Sequence, residues 1–514
     1  MNKVEEKMKK WIGGSLVAIL TIAGPFGTIA AANDAPSGTF RMAEEVKLIT
    51  LDPHNHAGGG IPYLRPVYES LFHRTEDGAV EPLLATGFKV DGLTVEITLR
   101  DDVWFSDGER LDAEAVAANI NRAIEIGVLR ALSPVEKATA TGEFTVELAL
   151  TNPAPSLHFD LTGTAGMMIS PKAMDDPALD RNPVGTGPYV YNPALSREGE
   201  VRIYTLNPNY WEPAQQGLES VEIWEMPENT ARLNALSTGQ IDIGKWLPSP
   251  QALIVEKTPG LELIKRSGGS TYTAIISDRE GTVVPAFADK RVRQAMSHAI
   301  DRQAFADVVQ FGLAVPSVQP VGKDHWAYNE KLEGQFEYDP EKARALLAEA
   351  GYADGFSFVM PSIPVFASRN EALAGFFKDV GITMSIEAIE PGTLARRSRT
   401  TDFPATNLLW RQLTDLSFLT LLYLGEDAAY NPFKVPPMDR LNELSELGLQ
   451  STDTSVRALI YKEMFEILAD EAFLIYITSG QLVVGATEAA AKNPTMKFRA
   501  GESSPYWRGL RATE

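Results

Sequence analysis

The sequence predicts an exported protein of α/β or α+β class, large enough for two or three domain-sized units. Three observations carry this. The chain has 514 residues, and domains commonly run to about 150. Segments with strand-like and helix-like apolar spacing alternate along its whole length. A basic, then uncharged, then small-residue leader precedes them.

The leader comes first. Lys3, Lys7, Lys9 and Lys10 give a positive start, Trp11 to Gly24 carries no charge, Pro25 breaks the run, and Ala30-Ala31-Ala32 offers small residues for cleavage. Residues 1–32 therefore read as a secretory signal peptide. A membrane helix fits less well, because the run is shorter than about 20 residues and holds three glycines. The chain has no cysteine. Disulfides, thiolate metal sites, a thiol nucleophile and a lipid-modified cysteine at the cleavage point are all excluded. The expectation is a free protein of the bacterial periplasm.

Composition narrows the partners. Hydrophobic residues make up 44 % and charged residues 22 %, which allows a sizeable core. The net charge of −21 argues against nucleic acid, whose phosphates call for clustered Lys and Arg. Solubility is the simplest account of the acidity.

Next come the elements. "LTVEITLR" puts Val95, Ile97 and Leu99 on one face and predicts a half-buried strand. A turn at Asp107-Gly108 leads to a helix capped by Asp112. "PENTARLNALSTGQIDIG" predicts a helix ended by Gly239, then a short strand through Ile241 and Ile243. Asp289 caps the next helix, with Val292, Met296, Ala299 and Ile300 on one stripe, and Asp301 caps another. "YDPEKARALLAEAGY" has Asp339 as cap, Pro340 in the first turn and Gly351 past the end. "TSVRALIYKEMFEILAD" is an amphipathic helix, and "AFLIYIT" after it is a buried strand.

Recognisable catalytic chemistry is missing. "NPVGTGPYVYNP" (Asn182 to Pro193) resembles a phosphate loop only superficially. Gly187 is followed by Pro188, which lacks an N–H, where a phosphate loop needs Lys. No third glycine completes a dinucleotide fingerprint, and no G-x-S-x-G or H-E-x-x-H occurs. The segment reads as a turn feeding the β-prone Tyr189-Val190-Tyr191. His54-x-His56 could set two imidazoles on one side of a strand as metal ligands, but in a loop such a pair is more often solvated. Neither metal nor cofactor is expected.

Five stretches, in this order and spacing, resemble the bacterial extracellular solute-binding proteins of the dipeptide/oligopeptide-binding family, which serve ABC importers. They are "YESLF" with the segment Glu81 to Val116; "PVGTGPYVY" with "LNPNYW"; "ENTARLNALSTGQIDI"; "FADKRVRQAMSHAIDR"; and "YDPEKARALLAEAGY". The resemblance implies an α/β, two-lobed periplasmic binding protein fold with an extra subdomain inserted in lobe I. Lobe I would span 33–262, with the insertion at about 70–180, and lobe II 263–481. Residues 482–514 would return to lobe I. A ligand would lie in the cleft, closed by hinge bending about two strand crossovers. In such proteins the GTGPY element is structural, glycine supplying backbone freedom and proline fixing φ.

Ligand-facing candidates follow from the same resemblance. "PHNHAGGGIPYLR" lies where family members line the cleft. His56 stands there, and Gly58 and Gly59 would let backbone approach a solute, unless the stretch is a flexible surface loop. Tyr272 lies on the crossover strand, where it would serve as ligand wall or as an ordinary half-buried strand tyrosine. Trp246 would be ligand wall or core packing. Trp410 and Arg411 open the most informative stretch. Peptide-binding relatives carry an Asp three residues after this Trp, which holds the ligand's α-ammonium. Here that position is Leu413 and the acid comes only at Asp415. A small gap could restore Asp415 to the role, while Arg411 would favour an anionic group through a forked hydrogen bond.

The leading expectation is thus a monomeric, non-enzymatic substrate-binding protein of an ABC importer. It would capture a peptide or amino-acid-derived solute and pass it to permease subunits in the inner membrane. Three alternatives stay open: a binder of an opine, oligosaccharide or metal chelate; an exported hydrolase with a cleft active site; and a sensor or chaperone subunit acting by protein contact.

Overall fold

Four aspartates start helices where their spacing predicts. Asp112 accepts from the Ala115 N–H, Asp289 from Arg291, Asp301 from Ala304 and Asp339 from Lys342. Each satisfies a donor that the first helical turn cannot. The first of these helices, Ala113–Ile126, ends at Gly127 in the left-handed region, with φ of 71°, the usual way a helix closes its last carbonyls.

The structure, a computed structural model, describes residues 35–512 except 57–59, 246, 391–392, 412–414, 418, 427, 437 and 452; at 410, 411, 420 and 421 it describes the backbone alone. The predicted leader lies outside these residues. The chain divides into two units, one running to Ile264 and resuming at Val483, the other spanning Lys265–Leu482.

The first unit is built on a seven-stranded sheet. Its spatial order is Leu261–Arg266, Leu482–Thr487, Ile243–Lys245, Thr39–Glu44, Ser220–Glu225, Val201–Leu206 and Tyr189–Tyr191. Thr39–Glu44 runs parallel to both neighbours, so Glu44, Glu225 and Lys245 end three adjacent strands on the same edge. The strand expected through Ile241 begins two residues later, at Ile243. The Ile241 N–H is held by the Ala235 carbonyl at the close of the preceding helix. A separate antiparallel sheet (Ala85–Asp91, Thr94–Leu99, Thr145–Leu150, Val135–Gly142) packs under the Ala113–Ile126 helix. Its own core includes Val95, Ile97, Leu99, Val116 and Ile120. Each such buried side chain contributes about 1.5–3 kcal/mol.

"GTGPY" does feed the Tyr189–Tyr191 strand, but its glycines serve a different need from the one expected. Neither Gly185 nor Gly187 has positive φ. A Cβ on Gly187 would lie 2.6 Å from the Pro66 carbonyl oxygen, and one on Gly185 only 2.3 Å from that of Val67. The backbone passes so close to residues 66–67 that the Gly187 N–H reaches the Val67 carbonyl at 2.7 Å. Close approach, rather than conformational freedom, requires glycine here.

The second unit centres on an antiparallel sheet ordered Ala314–Pro316, Leu474–Gly480, Ser270–Ile276 and Ala405–Arg411. Beside it lies a parallel pair, Phe356–Ser362 and Ile382–Ala388, joined through the helix Ala367–Asp379. Tyr272, Phe287, Phe305, Phe358 and Phe377 fill the core. Among the described residues, no helix is long and apolar enough to cross a membrane.

Candidate functional site

In the second unit, sheet register brings several of the expected residues together. Ser270 pairs with Arg411, Thr271 with Trp410 and Tyr272 with Leu409. Tyr272 is fully buried. Its hydroxyl donates to Asn370 Oδ1 at 2.8 Å and accepts from Asn407 Nδ2 at 2.9 Å. The amide of Asn407 also donates to Asn370 Oδ1. Phe305 stacks on the Tyr272 ring with centroids 5.6 Å apart. Burial pushes the phenol's pKa upward, and the hydrogen bond from Asn407 offsets only part of that.

This network locates a residue that sequence reading passed over. Arg369 stands in the first turn of the Ala367–Asp379 helix, its guanidinium carbon 5.7 Å from the centroid of the Tyr272 ring. Its Nη1 donates to the Val365 carbonyl at 2.7 Å, whereas its Nε is buried without a hydrogen-bond partner. Burial lowers its pKa, and among the described residues no carboxylate pairs with it. A guanidinium can hold an anion through charge-assisted hydrogen bonds. On the same helix, Ala367 and Glu371 line a cavity of about 450 Å³. Ser362, Ile363 and Ala388 also line it, placing it at the carboxyl ends of the parallel strands, where open α/β sheets tend to bind ligands.

Asp415 is occupied by a protein partner. Its Oδ2 lies 2.7 Å from Arg457 Nη1, with the two side chains 13 % and 5 % exposed. The Ser417 N–H donates to Oδ1 at 2.9 Å. Burial alone would raise this carboxyl's pKa, but the hydrogen bond and charge of Arg457, with the contacts from Ser417, outweigh it and hold the pKa low. Arg457 also lies over the rings of Trp326 and Tyr461.

In the first unit, "LDPHNH" folds into a short turn. Arg122 grips Asp52 with both terminal nitrogens, at 3.1 and 2.7 Å. The same guanidinium donates to His54 Nδ1 at 3.0 Å, which leaves Nε2–H to donate to the Met167 carbonyl at 3.3 Å. Both ring nitrogens of His54 are therefore spent on protein partners, and the ring is neutral. Burial pushes its pKa down to about 4, the nearby Asp52 opposing and Arg122 assisting. His56 is buried, with Nε2 2.6 Å from where a Cβ on Gly60 would stand. Burial lowers its pKa too. Among the described residues, no group of three or more His, Cys, Asp or Glu could hold a metal ion.

At the carboxyl edge of the seven-stranded sheet, Lys245 Nζ meets Glu44 Oε2 at 2.6 Å, both side chains buried. Neighbouring Glu45 is pushed up to about 8, first by burial and then by Glu44. Sequence reading missed this cluster, since Lys245 is 201 residues from Glu44. The Gly58, Gly59, Trp246 and Leu413 expectations lie outside the described residues, as do the side chains of Trp410 and Arg411.

The chain forms two units, joined where it passes between them at Ile264–Lys265 and Leu482–Val483. The chain belongs to the bacterial extracellular solute-binding proteins, family 5, whose "Middle" profile matches residues 79–429. A curated relative, the glutathione-binding protein GsiB of Salmonella paratyphi A, is 33 % identical over 339 residues. That match takes in 64 % of this chain and 65 % of the relative's length. Among solved structures, HbpA2 of Haemophilus parasuis superposes with a TM-score of 0.82 at 21 % identity, covering 92 % of this chain and 99 % of the other. The periplasmic binding protein DppA of Helicobacter pylori, solved with the peptide STSA, gives 0.70 at 22 % identity over 93 % and 98 %. These two likenesses establish the fold.

Proposed function

We propose that this chain is the exported, periplasmic solute receptor of an ABC importer, and that its cargo is a short peptide or a glutathione-like amino-acid derivative. The observation that carries the cargo class is Arg369, a half-buried guanidinium without a carboxylate partner among the described residues, braced over a tyrosine ring that is itself locked in place. A ligand carboxylate completes it by a charge-assisted hydrogen bond. GsiB, named for glutathione, and DppA, solved with a peptide, support the same class.

The proposed contact residues are Arg369, Trp410 and Arg411 in the second unit and His56, Gly58, Gly59 and Trp246 in the first. Tyr272 carries Arg369 over its ring, and Asp415 is engaged by Arg457. The protein performs no chemistry. Ligand stabilises one conformation over another, and the membrane permease recognises that conformation.

The test is a melting-temperature screen of the pure protein against glutathione, di- and tripeptides, opines, oligosaccharides and nickel chelates. A ligand at a hundredfold excess over Kd adds about 2.7 kcal/mol to stability. A shift with glutathione or peptides supports the reading. A shift confined to sugars or chelates overturns the cargo, and conversion of any compound to product overturns the receptor.

A further inference from the structure

The helix Ala367–Asp379 starts without a side-chain cap, unlike the four helices that open on aspartate. Its first turn, where Arg369 stands, is held by the side chain of Asn370 instead. Asn370 is fully buried. Its Nδ2 donates to the Pro361 carbonyl at 3.3 Å. Its Oδ1 accepts from the Tyr272 hydroxyl at 2.8 Å and from Asn407 Nδ2. Asn407 Nδ2 also donates to that hydroxyl at 2.9 Å, which closes the three side chains into one loop of hydrogen bonds. A single amide thus ties the helix to three strands, Phe356–Ser362, Ser270–Ile276 and Ala405–Arg411. Inside a protein such bonds are electrostatically stronger than in water.

Arg369 precedes Asn370 and keeps part of its surface exposed. Its Nη1 is spent on the Val365 carbonyl and its Nε is buried without a hydrogen-bond partner, so Nη2 is the nitrogen left for a ligand. The guanidinium lies over the Tyr272 ring, on which Phe305 also stacks. The backbone end of Arg369 is therefore set by Asn370 and its charged end by Tyr272, two members of one network.

We propose that Asn370, with Tyr272 and Asn407, is a positioning group for Arg369: it sets the angle at which the guanidinium meets a ligand carboxylate and touches no ligand itself. This rests on the carboxylate role proposed for Arg369. A charge-assisted hydrogen bond is directional, and its donor must be held to a fraction of an ångström by the groups around it. Loosening the turn therefore weakens recognition of the carboxylate in particular.

Titration of the full-length mature protein with glutathione and with its C-terminal amide reads the carboxylate preference, and a double-mutant cycle reads whether that preference runs through Arg369. Tyr272→Phe keeps the aromatic ring and removes the hydroxyl. Asn370→Leu keeps the volume and removes the amide. Each should lower the preference for glutathione over its amide at least fivefold, with binding of the amide changed less than twofold. Neither should lower it further in an Arg369→Gln background. Equal losses for both ligands, or a further loss in that background, would overturn the positioning role. A preference untouched by Arg369→Gln itself would overturn the carboxylate reading beneath it. A ligand-free measurement decides the point separately: the NMR signal of the Arg369 Nε–H, assigned by its disappearance in Arg369→Gln. Its exchange with water should be slow in the unaltered protein and at least fivefold faster in both variants. Unchanged exchange in both would overturn the proposal even where neither probe binds.

Discussion

Asp415 and Arg457 form a 2.7 Å ion pair inside the second unit, 42 residues apart in sequence, with the guanidinium also over two aromatic rings. A buried pair broken on one side leaves the other charge stranded, which costs about 3–5 kcal/mol. Asp415→Asn should therefore lower the melting temperature of the ligand-free protein by on the order of 10 °C. Differential scanning calorimetry checks this. A change in ligand affinity with no loss of stability would show that Asp415 faces the solute instead.

Arg369 should behave in the opposite way. Among the described residues it has no carboxylate partner to strand, so Arg369→Gln should leave the melting temperature nearly unchanged. Affinity for a carboxylate-bearing ligand should fall by about 1.5–3 kcal/mol, tenfold or more, the range of a hydrogen bond to a charged group. Titration with glutathione or a dipeptide, alongside the corresponding C-terminal amide, reads the difference. Equal losses for both ligands would remove Arg369 from carboxylate recognition.

Gly187→Ala tests the close approach at residues 66–67. The added methyl carbon would stand 2.6 Å from the Pro66 carbonyl oxygen and the Val67 backbone, and neither can move without shifting its chain. A loss of about 1–3 kcal/mol is expected, the usual cost of overpacking, measured by urea denaturation. Gly108→Ala is a useful contrast. That glycine has nothing within 4 Å of its would-be Cβ but a φ of +88°, so its cost comes from backbone strain alone.

Two buried groups should shape stability against pH, in opposite senses. His54 has a folded pKa near 4, below its unfolded value of 6.5. The unfolded state gains the proton first, so the His54 contribution is complete above about 6.5 and is lost as pH falls toward 4. Glu45 has a folded pKa near 8, above its unfolded 4.5. Its contribution is complete below 4.5 and is lost as pH rises through 8. Between about pH 4.5 and 6.5 the two effects oppose each other, so melting temperatures should be nearly level there and fall from 6.5 to 8; Glu45→Gln should remove that fall and expose the His54 loss between 6.5 and 4. An unchanged alkaline slope in that variant would remove Glu45 as its source.

Local chemistry explains what could be read directly. The caps at Asp112, Asp289, Asp301 and Asp339 were legible because a capping carboxylate bonds an N–H two or three residues away. The face of Thr94–Leu99 was legible because a strand's period of two shows in six residues. The order of the family's stretches, running from Tyr68 to Tyr352, carried the family assignment.

Tertiary structure decided what each chemical group is for. Glycine at 187 was visible as a glycine, but its purpose depends on a backbone 120 residues earlier. Tyr272 was visible as a strand tyrosine, but Asn370 and Asn407, 98 and 135 residues away, take up its hydroxyl. Arg369 carried no signal in the sequence; the fold sets it over that ring, with no carboxylate paired to it among the described residues. The sequence by itself determined the elements, their caps and the family, because those signals are short-range. Only the fold decided which charges are paired and which are spare, because pairing depends on distances across the chain that spacing does not encode.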